Sequence, residues 1–491
     1  MLIKDLLIRQ KFNDNVAVTC GKNKVTYAQL FEIAEKTAQT IKPYVTNYKN
    51  IAILFSNSIE YIISFFSILF LDKVVVPIEH NIKQNELENI LNYCDIGLVL
   101  IGNDHVGLLK NACESSRSNI IIFNMESGIL ENKDIDKCAN ISDCSDDVAI
   151  LMHTSGSTNS PRRVMLTNKN IISNIEANVE ALNISKADTT LISLPMCFSY
   201  CNTAQFLSHI YCGAKLVIMD TIFLPATFFA LVEKEKITNF MTVPTIAKTL
   251  LIPKIQKPLK SLKWISIGGA SIDNRTLKNL LKSFKNIDFI KTYGLTEASP
   301  RVTTLLAKDC KRKMSSIGKA MKGIQIKIIL ENGNEAKEHE NGELLVKGSN
   351  IMEGYYNNKE ETNKIIKDGW LHTGDIGFLD EEGYIYLVGR KKNIIISSGI
   401  NIYPEEVEEI LMAHPAIELA YVYGISDNAY GEIPLAKVII KKGAKVTDIE
   451  LIQYCKEKLS DYKIPSKITF VNELQYTNNM KIKRIGSLNG K

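Results

Sequence analysis

The stretch NIAILFSNSIEYIISFFSILFLDKVVVPI, from Asn50 to Ile78, contains two short apolar runs separated by a longer segment with a helical pattern. Short continuous apolar runs are typical of strands that are buried on both faces. A strand, a helix and a second strand in this order predict two parallel strands joined by a crossover helix. Within the stretch, the eleven-residue run Tyr61 to Leu71 is too short to span a bilayer, so we interpret it as a core helix.

The same alternation extends in both directions from this stretch. The segment TYAQLFEIAEKTAQTI before it has helical spacing, and KLVIM, KITNFMTV, LKWISIGG and IDFIKTYG after it are short strands separated by helices. Beyond about Arg301 the sequence becomes rich in strands, with pairs that meet at Asn-Gly and Glu-Gly turns. We therefore predict an α/β fold with a β-rich subdomain.

A compact α+β unit begins at about Asn393, with the helix YPEEVEEILMAH and the helix DIELIQYCKEKL among short strands. About a hundred residues suffice for a small independent domain. We predict a large N-terminal domain at residues 1–389 that binds ATP and the acyl group, a hinge at residues 390–392, and a small mobile lid domain at residues 393–491.

Composition excludes several classes of protein. The 491 residues are 45% hydrophobic and carry a net charge of +5, which is too weak and too dispersed for a dedicated nucleic-acid binder. The ten cysteines form no CxxC pair, which favours a reducing compartment over a disulfide framework or a thiolate zinc site. The N-terminus has no signal-peptide pattern. We expect a cytoplasmic protein that does not span a membrane.

The loop HTSGSTNSPRRV, from His153 to Val164, follows the apolar run VAILMH and leads to a predicted helix. A small polar loop between a strand and a helix can hold phosphates through backbone N–H groups and hydroxyls. It is not a Walker A loop, because Pro161 and Arg162 stand where that pattern requires Gly and Lys. By itself the composition is more typical of an ordinary connecting loop.

Four further segments add specificity: YGLTEASPR (293–301), LHTGDIG (371–377), LVGRKKNIIISSGINIYPEEVE (387–408) and MKIKR (480–484). Each alone is also explained by turn residues and solvated charges. Together with TYAQL, NSIEY, VVVPI, LPMCFSY, GELLVKGSNIMEGYY and YGEIPLA, they occur in the order of one family. Over nearly its whole length the chain resembles the adenylate-forming superfamily of acyl-CoA synthetases, nonribosomal peptide adenylation domains and luciferases.

The resemblance implies a two-step ligase. Such an enzyme joins a small-molecule carboxylic acid to ATP, with Mg²⁺, to give an acyl-adenylate and pyrophosphate. It then passes the acyl group to a thiol, which is either coenzyme A or the phosphopantetheine arm of a separate acyl or peptidyl carrier protein. Because the first step brings two anions together, the site needs phosphate donors, a metal ligand, a ribose anchor and a mobile cation.

The resemblance assigns nucleotide binding to Thr154, Ser155, Gly156, Ser157, Thr158, Gly269, Ala270, Tyr293, Gly294, Asp375 and Arg390. The first five form the phosphate loop. Tyr293 would stack on adenine opposite Gly269 and Ala270. Asp375 would accept hydrogen bonds from the ribose hydroxyls, with Arg390 as a second contact.

Three catalytic residues follow from the same motifs. Glu297 would help to hold Mg²⁺, and Thr296 would lie beside the α-phosphate. Lys481 would bridge the carboxylate and the α-phosphate, since a flexible ammonium can follow the negative charge as it accumulates. Lys392 matches the hinge residue about which the C-terminal domain rotates, and Gly399 would line the tunnel for the thiol.

Phe198, Tyr200 and Cys201, in LPMCFSYCN, are candidates for the acyl pocket, although core packing explains them equally well. No Asp lies near them to pair with a substrate ammonium, and an unpaired buried ammonium is costly. An acyl or aryl acid is therefore favoured over a stand-alone amino-acid adenylation enzyme, which remains the alternative.

The chain departs from the family pattern at three positions. Asn159 and Arg163 replace glycines of the phosphate loop, and Met480 replaces the glycine before the catalytic lysine. Asn tolerates left-handed backbone angles, whereas Arg163 is harder to fit into a tight loop. A non-catalytic nucleotide-binding homologue would explain these changes, but it has no need of Lys481.

Overall fold

The computed structural model describes residues 1–116, 120–131, 145, 147–153, 162–251, 259–398, 400–427 and 430–474. Four sheets organise this part of the chain, and we name them A to D. Sheets A and B carry the crossover pattern, sheet C is antiparallel, and sheet D lies in the C-terminal unit, residues 393–474.

Sheet A is mostly parallel. Its strands lie in the spatial order Lys319–Ala320, Arg301–Leu305, Asp288–Gly294, Trp264–Ile267, Asn239–Thr242, Thr189–Ile192, Lys215–Ile218, Val16–Cys20 and Asn23–Thr26. The strand Arg301–Leu305 runs antiparallel to Asp288–Gly294, with Arg301 opposite Gly294. The carboxyl ends of the neighbouring parallel strands Trp264–Ile267 and Asp288–Gly294 therefore lie at one edge of the sheet, where α/β folds bind ligands.

Sheet B contains the stretch that opens the sequence analysis. Its strands lie in the order Gly354–Tyr355, Arg163–Thr167, Val148–His153, Val74–Ile78, Asn50–Leu54, Ile96–Ile101, Ile121–Asn124 and Leu130–Glu131. Asn50–Leu54 and Val74–Ile78 pair in parallel, as predicted. The helix Ile59–Phe70 between them is buried, and Phe65 packs edge-to-face against Phe206, with ring centroids 5.4 Å apart.

Sheet C is antiparallel and contains Ile324–Ile329, Gly342–Gly348, Trp370–Leu379, Ile366–Lys367 and Ile385–Arg390. The predicted Glu-Gly turn joins Trp370–Leu379 to Ile385–Arg390. The register of this hairpin sets Asp375 directly opposite Arg390. Two residues that lie 15 positions apart in the sequence thus become cross-strand neighbours.

The C-terminal unit has its own hydrophobic core. Its strands are Ile400–Ile402, Ile395–Ser397, Gly431–Ile440, Ile417–Asp427 and Lys467–Phe470, and they form sheet D. The helices Pro404–Ala413 and Asp448–Lys456 cover this sheet, and Val407, Leu411 and Leu451 are buried between them and the strands. A separate core is what the α+β pattern predicts for an independent small unit. The proposed domain boundaries themselves stay a prediction.

The remaining helices cover sheets A to C or cap their edges. They span Asp5–Ile8, Tyr27–Ile41, Gln84–Tyr93, Val106–Ser116, Asn168–Leu182, Ser208–Cys212, Pro225–Glu235, Pro244–Thr249, Asn274–Ser283, Ala307–Cys310 and Lys359–Ile365. Tyr200–Leu207 is π-helical. Short 3-10 turns occur at Lys42–Tyr44, Asn103–His105, Thr296–Ala298, Lys391–Asn393 and Asp461–Lys463.

Local sequence explains where several helices begin. Thr26 and Thr167 each accept a hydrogen bond from the third residue of the helix that follows, which satisfies a backbone N–H left without an intrahelical partner. In the residues that the structure describes, every helix is too short or too polar to cross a bilayer. The α/β fold class with a β-rich part and a small C-terminal α+β unit is confirmed.

Candidate active site

A buried carboxylate joins sheet C to the edge of sheet A. Asp375 accepts a hydrogen bond from the Tyr293 hydroxyl at 2.5 Å and forms an ion pair with Arg390, whose Nε lies 2.5 Å from Oδ1. The Asp375 side chain is 5% exposed. We call Tyr293, Asp375 and Arg390 the Asp375 cluster. It brings together three of the predicted nucleotide-binding residues.

The electrostatics keep this cluster in one protonation state. Burial and the neighbouring Asp375 charge hold the pKa of Tyr293 well above its usual value, so the phenol stays protonated and donates. Burial is the largest single influence and disfavours the Arg390 cation, but Asp375 and the neighbouring acidic groups together outweigh it and raise the pKa of Arg390. Asp375 is therefore a charged acceptor held in place by two donors.

Glu297 lies in the 3-10 turn Thr296–Ala298 and is positioned by sheet B. Its Oε1 accepts a hydrogen bond from the Tyr355 hydroxyl at 2.7 Å. Burial and Glu297 together raise the pKa of Tyr355, so this phenol also stays a donor. The Arg162 guanidinium lies 5.5 Å from the Tyr355 ring centroid and pairs with Glu361 at 2.6 Å. Arg162, a residue of the predicted phosphate-loop segment, is thus held near Glu297.

The neighbouring Thr296 links the nucleotide motif to the candidate acyl segment. Its Oγ1 lies 3.0 Å from the Oγ of Ser199, which is 7% exposed. Ser199 comes directly before the π-helical segment Tyr200–Leu207. The segments that contain Ser199 and Thr296 therefore contact each other, although they lie about a hundred residues apart in the sequence.

Two glycines at the edge of sheet A are required by geometry. Gly269 has a φ of +78°, which L side chains rarely adopt. At Gly294 an added Cβ would lie 1.9 Å from the backbone oxygen of Pro300. Ala270 follows Gly269 and is exposed. Gly269 is thus required by its backbone angle, and Gly294 by the close approach of the Pro300 backbone beside Tyr293.

Arg163 does not extend the phosphate loop. It is the first residue of the strand Arg163–Thr167 and is 1% exposed. Its Nη1 donates to the backbone oxygen of Pro77 at 3.3 Å, and its side chain also forms a hydrogen bond with the Cys94 side chain. The arginine that replaces a family glycine therefore points into the interior of sheet B, which explains how it is accommodated.

The three candidate pocket residues have different surroundings. The Tyr200 hydroxyl lies 3.4 Å from both the backbone oxygen and the Oγ of Ser266, at the same edge of sheet A as Gly269. Phe198 is half-buried, whereas Cys201 is 1% exposed and belongs to the main hydrophobic core. Core packing thus accounts for Cys201, and Tyr200 is the residue beside the candidate site.

Several predicted residues lie outside the described part of the chain. These are the phosphate-loop residues Thr154, Ser155, Gly156, Ser157 and Thr158, the tunnel residue Gly399 and the catalytic Lys481. Their roles stay predictions. Lys392 is described and is exposed in the short turn Lys391–Asn393, between Arg390 and the C-terminal unit.

Two residues of the site were missed in the sequence. Tyr355, which holds Glu297, lies in the quoted segment GELLVKGSNIMEGYY, so its membership of a family motif was an available signal. Arg301 ends the motif YGLTEASPR and is fully buried. An arginine at the start of a strand is normally expected to be solvated, and nothing local in the sequence indicates its burial.

Comparison with known families gives two matches in this chain. The model of the AMP-binding enzyme matches residues 8–356, and the model of the AMP-binding enzyme C-terminal domain matches residues 406–481. The first match contains Tyr293 and Glu297, and the second contains Lys481.

Characterised relatives span nearly the same length. A 2-succinylbenzoate–CoA ligase of Bacillus licheniformis is 30% identical over 96% of this chain and 96% of its own length. A long-chain-fatty-acid–CoA ligase of Bacillus subtilis is 32% identical over 96% of this chain and 91% of its own.

Solved structures are also similar. The o-succinylbenzoate CoA synthetase of Bacillus subtilis, in complex with its acyl-adenylate intermediate, matches with a TM-score of 0.86 and 27% identity, over 99% of both chains. The same enzyme has been solved in complex with ATP and a magnesium ion, and that structure matches with a TM-score of 0.85 over 97% of both chains.

Proposed function

This chain belongs to the family of AMP-binding enzymes and is an ATP-dependent, AMP-forming carboxylate ligase, and we propose that its acceptor thiol is coenzyme A. The family predicted from the motifs is confirmed. The two relatives described above, which each cover 96% of this chain, are named as CoA ligases, which favours coenzyme A over the alternative acceptor, a separate carrier protein.

The Asp375 cluster is the observation that carries the proposal. A buried carboxylate with two fixed donors is already ordered before a ligand arrives, and its oxygens are the acceptors that ribose hydroxyls would contact. Gly269, Ala270 and Tyr293 lie at the same edge of sheet A and would enclose the adenine ring. The arrangement suits a nucleoside better than a lone metal ion or a peptide.

Magnesium fits this site as a companion of the nucleotide. Among the described residues there is no group of three or more His, Cys, Asp or Glu side chains that could hold a metal by themselves. Mg²⁺ commonly uses one or two carboxylates and completes its shell with water and substrate phosphates, so Glu297 suffices as its protein ligand. When bound, the ion would neutralise charge on the phosphates.

The remaining assignments keep the roles that the family resemblance implies. The loop Thr154–Thr158 would donate to the phosphates, and Arg162 beside it adds a cation that Tyr355 and Glu361 position. Thr296 would donate to the α-phosphate. Lys481 would neutralise the charge that builds up as the substrate carboxylate attacks the α-phosphorus and pyrophosphate leaves.

The second step would use a rotation of the C-terminal unit about Lys392. The contacts between this unit and the rest of the chain include two exposed hydrogen bonds, from Asn274 to Glu409 at 3.1 Å and from Asn401 to Glu331 at 3.2 Å. Water can replace such bonds at little cost, which supports a mobile unit. Gly399 would then line the tunnel through which the thiol reaches the acyl-adenylate.

We also propose a cytoplasmic location. The cysteines that the structure describes are all free, as expected where thiols are kept reduced.

The proposal is tested by carboxylate-dependent exchange of pyrophosphate with ATP over fatty, aryl and amino acids, followed by addition of coenzyme A. We expect exchange with at least one acid and release of an acyl-CoA. Lys481→Ala should lower exchange about a hundredfold or more, because only this lysine would contact the reacting atoms. Lys483→Ala, two residues away, is the matched control and should change it less than twofold.

Absence of exchange with every acid, in protein that binds ATP, would contradict the enzymatic function. Equal losses in the two lysine variants would show that the catalytic lysine is assigned to the wrong position. Exchange with an acid but transfer only to a loaded carrier protein would contradict coenzyme A as the acceptor.

A further inference from the structure

Arg301 is a fully buried cation at the acyl end of the site. It is the first residue of the strand Arg301–Leu305 and is 1% exposed. Its Nη2 lies 3.2 Å from the Oγ of Ser266 and 3.3 Å from the Sδ of Met241, and its Cζ lies 5.5 Å from the Tyr200 ring centroid. Its Nε and Nη1 have no hydrogen-bond acceptor among the residues that the structure describes.

This environment does not compensate the charge of the guanidinium. Within the described part of the chain no carboxylate pairs with Arg301, and a hydroxyl, a thioether and an aromatic ring are weak substitutes. A buried charge normally has a charged partner or several hydrogen bonds, because removing it from water costs several kcal/mol. Arg301 therefore has the capacity to bind one more anionic group.

The neighbouring titratable groups do not supply that negative charge. Burial lowers the pKa of His209 to about 4, so its ring is neutral at physiological pH. Its two nitrogens lie 2.7 Å from the backbone oxygen of Gln205 and 3.1 Å from Oδ1 of Asn239. His209 therefore supplies no negative charge to balance the Arg301 guanidinium.

Arg301 lies next to the residues that would hold the acyl-adenylate. It stands opposite Gly294 in the antiparallel register, one residue beyond Tyr293. Ser266, which it contacts, precedes Gly268 and Gly269 at the end of the parallel strand Trp264–Ile267. A Cβ at Gly268 would lie 3.1 Å from the Tyr200 hydroxyl, so this ring packs closely against the backbone of Gly268.

We propose that Arg301 binds a second carboxylate of the acid substrate, distal to the one that is adenylated, so that the enzyme is specific for dicarboxylic acids. This inference rests on the proposed function. The Nε and Nη1 groups, which have no acceptor among the described residues, can each donate to a carboxylate, and a guanidinium hydrogen bond to a carboxylate is charge-assisted. The same cation repels the ammonium group of an amino acid, which disfavours the amino-acid alternative.

The test compares acids that differ only in the distal charge. Exchange of pyrophosphate with ATP is measured for aliphatic diacids of increasing length and for aryl diacids, including 2-succinylbenzoate. Each diacid is paired with its half-amide, in which a neutral carboxamide of nearly the same shape replaces the distal carboxylate. We expect the best diacid to exceed its half-amide about a hundredfold in kcat/KM, mainly through a lower KM, because the half-amide leaves the buried cation without a charged partner.

Arg301→Met should reduce that ratio to within about threefold, since methionine fills similar space without charge, and such replacements of buried charges are often tolerated. Arg301→Lys should retain part of the preference. Arg163→Met is the matched control, because Arg163 is equally buried but contacts Pro77 and Cys94 in sheet B. It should leave the diacid-to-half-amide ratio of the wild type unchanged.

The outcomes separate the two proposals. Wild-type enzyme that uses a monocarboxylic acid or a half-amide as well as the best diacid overturns the role of Arg301 and leaves the ligase function intact. An unchanged ratio in Arg301→Met also overturns it. Absence of exchange with every acid overturns the proposed function itself. If Arg301→Met does not fold, the wild-type comparison of diacid and half-amide still tests whether the enzyme prefers a substrate with a distal carboxylate.

Discussion

The proposed adenosine end and the proposed acyl end of the site each contain a buried charge, but in the described part of the chain only one of these charges is paired. Asp375 has Arg390 and the Tyr293 hydroxyl within 2.5 Å. Arg301 has a serine hydroxyl at 3.2 Å and a thioether at 3.3 Å. The charge of Asp375 is thus paired within the protein, whereas Arg301 keeps two nitrogens without an acceptor in the described residues.

The difference follows from what each end must recognise. Every turnover uses the same nucleotide, so a fixed arrangement of donors around Asp375 lowers the cost of ordering the site each time. The acid must be distinguished from many similar metabolites. A charge that only the correct substrate neutralises gives stronger discrimination than apolar packing, which is worth only about 1–3 kcal/mol per methylene.

The largest expected effect concerns the adenosine end. Asp375→Ala removes the ribose acceptor and leaves the Arg390 cation without its carboxylate, so we expect kcat/KM for ATP to fall about a hundredfold, or about 2.7 kcal/mol. Steady-state kinetics with saturating acid measures this change. The diacid-to-half-amide ratio should stay constant, because Arg301 is untouched.

Asp380→Asn provides the control for the Asp375 variant. Asp380 lies in the same hairpin, its side chain is 4% exposed, and it pairs with Lys313 at 2.6 Å, away from the cluster. We expect lower stability but an unchanged KM for ATP. A similar loss of ATP affinity in both variants would mean that Asp375 acts by holding the hairpin together.

The second effect, on stability, concerns the acyl end. Burial lowers the pKa of His209 to about 4, while an unfolded histidine titrates near 6.5. Below about pH 6.5 the unfolded state therefore binds more protons, and stability is lost as the pH falls from about 6.5 to about 4. This one histidine should cost about 2 kcal/mol between pH 7 and pH 5.

Urea unfolding at pH 7 and pH 5 measures that loss. His209→Gln, which has no titratable group, should lose about 2 kcal/mol less than wild type over the same interval. Burial and Arg163 also lower the pKa of His153 to about 4, so this second histidine should contribute to the loss of stability in both proteins and leave the difference between them unchanged. Equal losses in wild type and His209→Gln would show that His209 is already charged in the folded protein.

The smallest effect is expected for Tyr293→Phe. The ring that would stack on adenine is retained, and only the hydroxyl that donates to Asp375 is lost. Because Arg390 still pairs with the carboxylate, we expect about a fivefold rise in KM for ATP, or about 1 kcal/mol. A loss as large as that of Asp375→Ala would mean that the hydroxyl, and not the ion pair, positions the carboxylate.

Much of the fold could be predicted because its signals are local. The parallel pair Asn50–Leu54 and Val74–Ile78 follows from apolar runs around one helix, and the sheet C hairpin follows from its Glu-Gly turn. That turn also determines the register that sets Asp375 opposite Arg390. Motifs with fixed spacing then gave the prediction of the nucleotide-binding residues, which stays a prediction.

The two buried arginines could not be predicted, because their positions depend on distant parts of the chain. Arg163 was expected in the phosphate loop but is covered by Pro77 and Cys94 of other segments. Arg301 is covered by Tyr200, Met241 and Ser266. Burial of a charge is decided by such tertiary contacts, whereas periodicity and turn chemistry report only local structure.

Arg390 takes part in two features of the structure. It pairs with Asp375, and it is the last residue before the turn Lys391–Asn393 that leads into the C-terminal unit. Ribose hydroxyls that bind Asp375 compete with Arg390 for the same oxygens. Nucleotide affinity and the orientation of the C-terminal unit are then thermodynamically linked, and the coupling free energy is the same in both directions. The Kd for ATP should therefore differ between protein cross-linked in one orientation and protein cross-linked in the other by the factor by which ATP changes the orientation equilibrium.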